Sequence, residues 1–345
     1  MPALDFQFIN GALRFPALRL WLDPHDRVGP DELAFVSHAH SDHTGRHARV
    51  VFTAPTQQLM RARVSGQRAE HVLAYGERRA LAEFGGPAEP AAHLTLLPAG
   101  HVLGSAMSLV ECAGESLLYT GDFKLRPGLS AEPCEPVRAD TLVMETTFGR
   151  PEYVLPPTER IVADIVAFCR ATLAENQVPV LLGYSLGKAQ ELLACLADAG
   201  LPVMLQEQAA KLTRIYEGFG QKFPEWRHLK PAAAAGHVVI APPGGATAKL
   251  REQFPGCRLA IATGWALDPG CRYRYRADAA FPLSDHADFP DLVEFVRRVA
   301  PKRVFTLHGF AADFATHLRG LGFDAQPLVA APQLELGLGF TLGRA

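Results

Sequence analysis

The chain has 345 residues, 48% of them hydrophobic and 20% charged, with a formal net charge of −2. That length exceeds one ordinary compact domain, and the composition supports a sizeable core and excludes an intrinsically disordered chain. The near-neutral charge excludes bulk electrostatics as a route to nucleic acid, so any such binding rests on local patches.

The opening MPALDFQFIN has no basic segment leading into an apolar run, so no signal peptide is expected. No apolar run approaches the roughly 18 residues of a membrane span. The expectation is a soluble, cytoplasmic protein without a membrane partner. Short strands are expected at 18–23 (LRLWLD), 33–38 (LAFVSH) and 48–54 (ARVVFTA), punctuated by Pro, Gly and Asp. A helix is expected at 56–64, a hairpin over 105–123 around Ala113-Gly114-Glu115, and a strand over 140–149 that ends in a polar turn. This half reads as β-rich layers.

After 151–160 helix and strand alternate. Helices near 157–175, 186–200 and 208–219 are interleaved with strands at 178–184, PVMLQ, 237–243 and 259–265, the rhythm of a parallel α/β sheet. AAFPLSDHAD (279–288) reads as strand and turn, followed by a helix over 288–300, a strand over 303–309, a helix over 311–322 and a weakly structured tail. PAAAAG (231–236) reads as a loop, and no internal repeat is present. The six cysteines contain no Cys-x-x-Cys pair, so they read as reduced thiols and not as a zinc ribbon.

The chemistry concentrates in VSHAHSDHTG (36–45), which places His38, His40, Asp42 and His43 within six positions directly after an apolar run. His38 and His40, two apart, share one side of an extended turn. Imidazole with carboxylate suits zinc, manganese or iron, and the absence of thiolate argues against a structural zinc. Four donors on one short loop exceed what one metal takes from it. Three later strand ends offer more: His101 in LLPAGHVLGS, Asp122 in LLYTGDFK and His308 in VFTLHG. Each alone reads equally well as a capping Asp or a strand-end His. Together they fit one scheme.

The set H-x-H-x-D-H, then His, Asp and His, resembles the metallo-β-lactamase fold, and more narrowly its nucleic-acid-cutting branch, the β-CASP nucleases. Three features carry the narrower resemblance: Glu145 in LVMETTFG, His286 in LSDHAD, and His308 directly before Gly. GYSLGKAQELL resembles the start of the α/β domain this branch inserts. GDFK, YSLGKAQ and SDHAD look most like the compact bacterial members associated with DNA ligases and repair helicases, described as DNA exonucleases or endonucleases.

The resemblance implies an αββα sandwich from residues 1–155 and 278–345, with an inserted α/β domain at 156–277. It implies two divalent ions, Zn²⁺ or Mn²⁺. His38, His40 and His101 would hold one, Asp42, His43 and His308 the other, and Asp122 would bridge them. His286 would protonate the leaving oxygen with Glu145 orienting it, and Asp42 belongs to the same catalytic group. Asp23 in LWLDP matches an acidic position that anchors the ligand loop, and reads equally as a turn residue before Pro24.

Lys124 and Arg126 follow the bridging Asp and are candidates for phosphate contact. Ser185 and Lys188 in GYSLGK offer an anion site, with an ordinary helix N-cap as the rival reading of Ser185. CRYRYRAD alternates, so Arg272, Arg274 and Arg276 would line one strand face as a phosphate-tracking strip, with Tyr273 and Tyr275 on the other as stacking surfaces, or they stand as ordinary charges on an exposed edge. The implied activity is a two-metal phosphodiesterase cutting single-stranded DNA, in DNA repair beside ligase and helicase partners. RNA 3′-end processing on the same site is the alternative, followed by small-molecule hydrolysis and a catalytically dead scaffold. The second domain argues against a small substrate, and the complete ligand set argues against a scaffold.

Overall fold

The computed structural model describes residues 4–243 and 246–328. Three sheets organise them. The first runs β1 (Gln7–Ile9), β2 (Ala12–Phe15), β3 (Leu20–Leu22), β4 (Leu33–Phe35), β5 (Arg49–Phe52) and β6 (Ala69–Val72) in chain order. It begins antiparallel and turns parallel from β3 onward. Helix α1 (Ala54–Arg63) follows β5 and is capped by the Thr53 hydroxyl, which accepts from the Thr56 amide.

The second sheet starts with β7 (Arg78–Ala80), β8 (Ala92–Pro98), β9 (Ala106–Cys112), β10 (Glu115–Tyr119) and β11 (Thr141–Glu145). The expected hairpin is β9–β10, closed by Ala113 and Gly114, both at positive φ, as a two-residue turn needs to match the strand twist. The chain then leaves this sheet. Helix α2 (Thr158–Ala174) leads into the third sheet: β12 (Pro179–Leu182), helix α3 (Lys188–Cys195), β13 (Val203–Leu205), helix α4 (Glu207–Gly218), β14 (Trp226–His228), β15 (Val238–Ala241), helix α5 (Ala246–Gln253), β16 (Arg258–Ala262), helix α6 (Cys271–Arg274) and β17 (Ala279–Phe281). Its order is β14-β13-β15-β12-β16-β17, parallel throughout. This sheet continues to Phe281, past the boundary expected at 278. Helix α7 (Phe289–Val299), β18 (Arg303–Leu307), helix α8 (Ala311–Gly320) and β19 (Ala325–Pro327) then return to the second sheet, beside β11. Part of the expected tail is thus an edge strand, and 329–345 lie outside the described residues.

Period-two alternation sorts the side chains of the first two sheets. Leu33, Phe35 and Val51 meet Leu94, Val110, Leu117, Tyr119, Val143 and Leu307 between the sheets. Val36, Val50 and Phe52 point the other way, toward Leu59 and Met60 of α1 and Leu212 and Tyr216 of α4. Met107, Leu118, Leu142 and Met144 pack on Phe295, Val296, Phe314 and Leu318 of α7 and α8. Each such side chain contributes about 1.5–3 kcal/mol of burial. Helix α7 shows why the outer layer forms: Leu292, Val293, Phe295, Val296 and Val299 make one apolar stripe, Asp288 caps the start, and Ala300 ends it in a left-handed turn. The layers run helix, sheet, sheet, helix. This is the αββα metallo-β-lactamase sandwich, with an α/β unit inserted between β11 and β18.

Two local expectations are corrected. Residues 272–276 are not a strand: Cys271–Arg274 is one helical turn, and Arg276 lies at positive φ. The Asp268 carboxylate accepts from the Gly270 amide, so Asp-Pro-Gly starts a turn where alternation alone suggested an extended strip. The helix expected at 186–200 is shorter, and Gly187, not Ser185, is its N-cap.

Candidate metal centre

The loop after β4 begins while Val36 still pairs with Val51, so it leaves from the sheet's C-terminal edge. Ser37 then turns onto Asp23, whose carboxylate accepts from the Ser37 amide at 2.7 Å, the Tyr119 hydroxyl at 3.0 Å and His43 Nδ1 at 2.8 Å. That last bond keeps the proton on Nδ1 and turns Nε2 of His43 toward Asp122, 3.4 Å away. Asp23 is buried and itself at positive φ. Its bonds tie Ser37 and His43 of the donor loop to the end of β3.

His40 Nδ1 lies 2.9 Å from His38 Nε2 and 3.1 Å from His101 Nε2. One hydrogen on Nδ1 serves only one of these neighbours, whereas one cation serves all three lone pairs. The Asp122 carboxylate is 3.6 Å from His38 Nε2 and 3.7 Å from His101 Nε2. One donor atom from each of His38, His40, His101 and Asp122 lies within 4.8 Å of the others. Burial, reinforced by the neighbouring imidazoles, pushes His38 well below the usual histidine range. Burial and His286 take His101 down to about 3. Neutral imidazole is the form that binds metal. Burial opposes ionisation of Asp122, yet His43 and His286 outweigh it and hold the carboxylate charged. Burial likewise opposes charge on His43, while Asp122 and Asp23 on either side raise its pKa well above the usual value. This donor set fits a divalent cation.

Asp42 is on the same loop with its side chain 76% exposed and its carboxylate 4.0 Å from His43 Nε2. His308 follows β18 in the left-handed region, with its ring centroid 6.3 Å from that of His43. Gly309 behind it is also left-handed, and a Cβ there would lie 2.4 Å from Thr147 Cα. Gly121 lets the Asp122 loop reach the centre, because a Cβ would lie 2.7 Å from Ser37. Both ends of the chain therefore meet here.

Glu145 ends β11, fully buried, and accepts from the Thr147 amide at 2.8 Å. Its other oxygen holds His286 Nδ1 at 2.9 Å. The second ring nitrogen of His286 is left for the cleft, with the ring 4.7 Å from that of His101. Burial disfavours charge on His286, but Glu145, then Asp122, raise its pKa to about 9. The imidazole thus faces the four-donor cluster.

Two main-chain carbonyls, one of them in the inserted unit, reach the donors directly. The Leu186 carbonyl accepts from His40 Nε2 at 3.2 Å, and the Asp285 carbonyl accepts from His101 Nδ1 at 2.8 Å. Each bond orients its ring. Lys188 was expected on substrate. It is buried instead, donating to the Leu283 carbonyl at 2.8 Å and pairing with the Asp285 carboxylate at 3.1 Å. Lys124, also buried, pairs with Glu191 at 3.4 Å. Arg126 pairs with Asp288 at 3.1 Å. Ser185 lines the cleft, and beyond it the amides of Gly187, Lys188 and Ala189 donate to Gln190, Leu186 and Tyr184. Arg274 pairs with Asp268, Arg272 is exposed beside Tyr273, and neither lines the cleft.

The cleft over the donors encloses about 790 Å³. Its walls include Arg63, Tyr184 and Trp265, which were not expected there, and Tyr275 of CRYRYRAD. They come from a helix end and from turns of the inserted unit.

Residues 274–326 match the RMMBL family, described as the Zn-dependent metallo-hydrolase RNA specificity domain. The chain is 53% identical over 336 residues to a probable DNA ligase of Opitutus terrae, covering 97% of this chain and 32% of that protein. It is 29% identical over 313 residues to the 5′ exonuclease Apollo of Gallus gallus, covering 88% of this chain and 64% of the relative. The chain thus spans about a third and just under two thirds of these relatives' lengths. A crystal structure of an Enterococcus faecalis V583 protein of unknown function shares the fold, with a TM-score of 0.59, 14% identity, and 87% and 80% of the two chains covered. Among the described residues no helix is long and apolar enough to cross a membrane.

Proposed function

We propose, from this chain's membership of the metallo-β-lactamase/β-CASP family, that it is a metal-dependent nuclease cutting single-stranded DNA. The observation that carries this reading is the His286–Glu145 pair at 2.9 Å, set across Asp122 from the His38–His40–His101 cluster in one cleft. His38, His40 and His101 would hold one divalent ion, Asp42, His43 and His308 a second, with Asp122 between. Two such ions supply the positive charge that stabilises the attacking and leaving oxygens of a phosphodiester.

The chain's own residues do the rest. Asp23 holds His43 in one tautomer, and the Leu186 and Asp285 carbonyls do the same for His40 and His101. His286 carries the proton that the leaving oxygen needs, and Glu145 keeps the ring aimed and charged. Residues 1–155 and 278–345 would act as one domain, and the segment between as a lobe closing the cleft, its edge strand extended to Phe281.

The match to one third of a probable DNA ligase supports DNA as substrate and a strand-joining enzyme as partner. The match of 274–326 to an RNA specificity domain favours a second reading, RNA cleavage on the same site. Chelator-stripped protein is incubated with labelled single- and double-stranded DNA and RNA, with Zn²⁺ or Mn²⁺ added separately. Metal-dependent cutting of single-stranded DNA fastest of the four is the expected result. Faster cutting of RNA establishes the second reading, and no cutting of any substrate with either ion ends both.

A further inference from the structure

Arg63 is the last residue of α1 and lines the catalytic cleft, half-buried. Its neighbours on that edge are neutralised: Arg61 and Arg68 both pair with Glu70. Among the described residues no carboxylate lies within ion-pair distance of Arg63, and its guanidinium makes no hydrogen bond. Burial works against its charge, and the acid that favours it is Asp42, one of the proposed metal donors. An arginine held out of bulk water without a partner is an incomplete anion site, since its fork of donors fits a phosphate.

Tyr184 stands in the same cleft, 60% exposed, directly before Ser185 and Leu186. Arg63, Asp42 and Tyr275 line this same cleft with it. A large aromatic ring left open to solvent beside a catalytic centre has no packing role there. Its flat face suits the face of a nucleobase, and stacking of that kind is tolerant of base identity.

We propose that Arg63 and Tyr184 form a subsite for the nucleotide flanking the scissile linkage, with Arg63 holding its phosphate and Tyr184 stacking its base. This rests on the nuclease reading and deepens it. A base available for stacking on Tyr184 is unpaired, so the subsite selects single strands. It also assigns phosphate contact to a cation that is free, where Lys124, Arg126 and Lys188 are already paired.

The test uses the metal-loaded protein and two kinds of substrate. Arg63→Gln is expected to lower kcat/KM on a single-stranded oligonucleotide about 10-fold or more. Tyr184→Ala is expected to lower it about 5- to 150-fold. Both variants should hydrolyse methyl p-nitrophenyl phosphate, which carries neither a flanking phosphate nor a ring on its non-leaving side, within twofold of the wild type. One uncharged methylphosphonate beside the cleavage position should cost the wild type as much as Arg63→Gln does, and cost that variant nothing more. An abasic nucleotide at the same place should do likewise for Tyr184→Ala. Arg63→Lys, which keeps the charge but loses the fork, should fall between wild type and Arg63→Gln. Additive losses from variant and modified oligonucleotide overturn the subsite while the nuclease reading stands. Equal loss on the aryl ester also overturns it, since the residues then act through the metal centre. A wild type that cuts the aryl ester but no nucleic acid removes the nuclease reading and the subsite with it.

Discussion

Replacing Lys188 by Met tests whether the inserted unit holds the candidate metal donors in place. The substitution keeps the stem that lies against Gly183 and removes only the ammonium. In the native protein that ammonium, with 3% of its side chain exposed, satisfies the Leu283 carbonyl at 2.8 Å and the Asp285 carboxylate at 3.1 Å. Burial opposes the charge on Asp285, and Lys188 is the largest influence keeping it far below the usual carboxylate range. Breaking one side of a buried ion pair costs about 3–5 kcal/mol because the other charge stays behind unpaired. Asp285 retains 18% exposure toward the cleft, so the expected loss is at the lower end, about 3 kcal/mol. It is read from the urea unfolding of chelator-stripped protein, which removes metal binding from the comparison. The second readout is zinc affinity. The Asp285 carbonyl orients His101, and loss of such an outer partner costs about 10–100-fold. Adding Asp285→Asn to Lys188→Met should recover much of the stability, since no orphan charge remains. Unchanged unfolding and unchanged zinc affinity in Lys188→Met would refute the argument that this pair fixes the donor geometry.

Three further outcomes are expected. His286→Ala should keep its metal and its nucleic-acid binding while cutting about 10²–10⁴-fold more slowly, with a smaller loss on a p-nitrophenyl ester, whose leaving group needs no proton. A parallel fall in metal content, measured by atomic absorption, would instead make His286 a ligand. Asp122→Ala should abolish cleavage and lower bound metal, because two cations would face each other without the shared carboxylate; normal turnover would contradict that arrangement. Glu132, half-buried and accepting from the Gly104 amide at 3.0 Å, has its pKa raised from the ordinary 4.5 by burial. The folded state therefore binds this proton more tightly than the unfolded chain, and stability falls as pH rises from 4.5 through the raised value. Glu132→Gln keeps the acceptor and removes the charge. It should be more stable than the wild type at pH 7 and flat across that window, as followed by thermal unfolding at stepped pH.

Sequence alone determined the elements whose signals are local. Alternation marked β4, β5, β9, β10 and β11, and the helix expected over 288–300 is α7, because each depends on which faces of a short segment are apolar. Helix–strand alternation after 155 marked a parallel sheet for the same reason. The four candidate donors of 36–45 stand out because they fall within six positions, and His101, Asp122 and His308 because each follows an apolar strand beside a glycine. Contacts between distant segments were decided only by the tertiary structure. Nothing near Lys124 announces Glu191, and nothing near Lys188 announces the Leu283 carbonyl, so both lysines read as free cations until folding buried them. The Arg272–Arg276 strip failed because the Asp-Pro-Gly before it starts a helical turn, and a turn residue outweighs alternation over so short a run. The main-chain carbonyls that orient His40 and His101 have no side chain to read. Arg63 shows the converse: beside Arg61 and Arg68 it is one more surface arginine in sequence, and only the fold, by giving Glu70 to the other two, leaves it alone in the cleft.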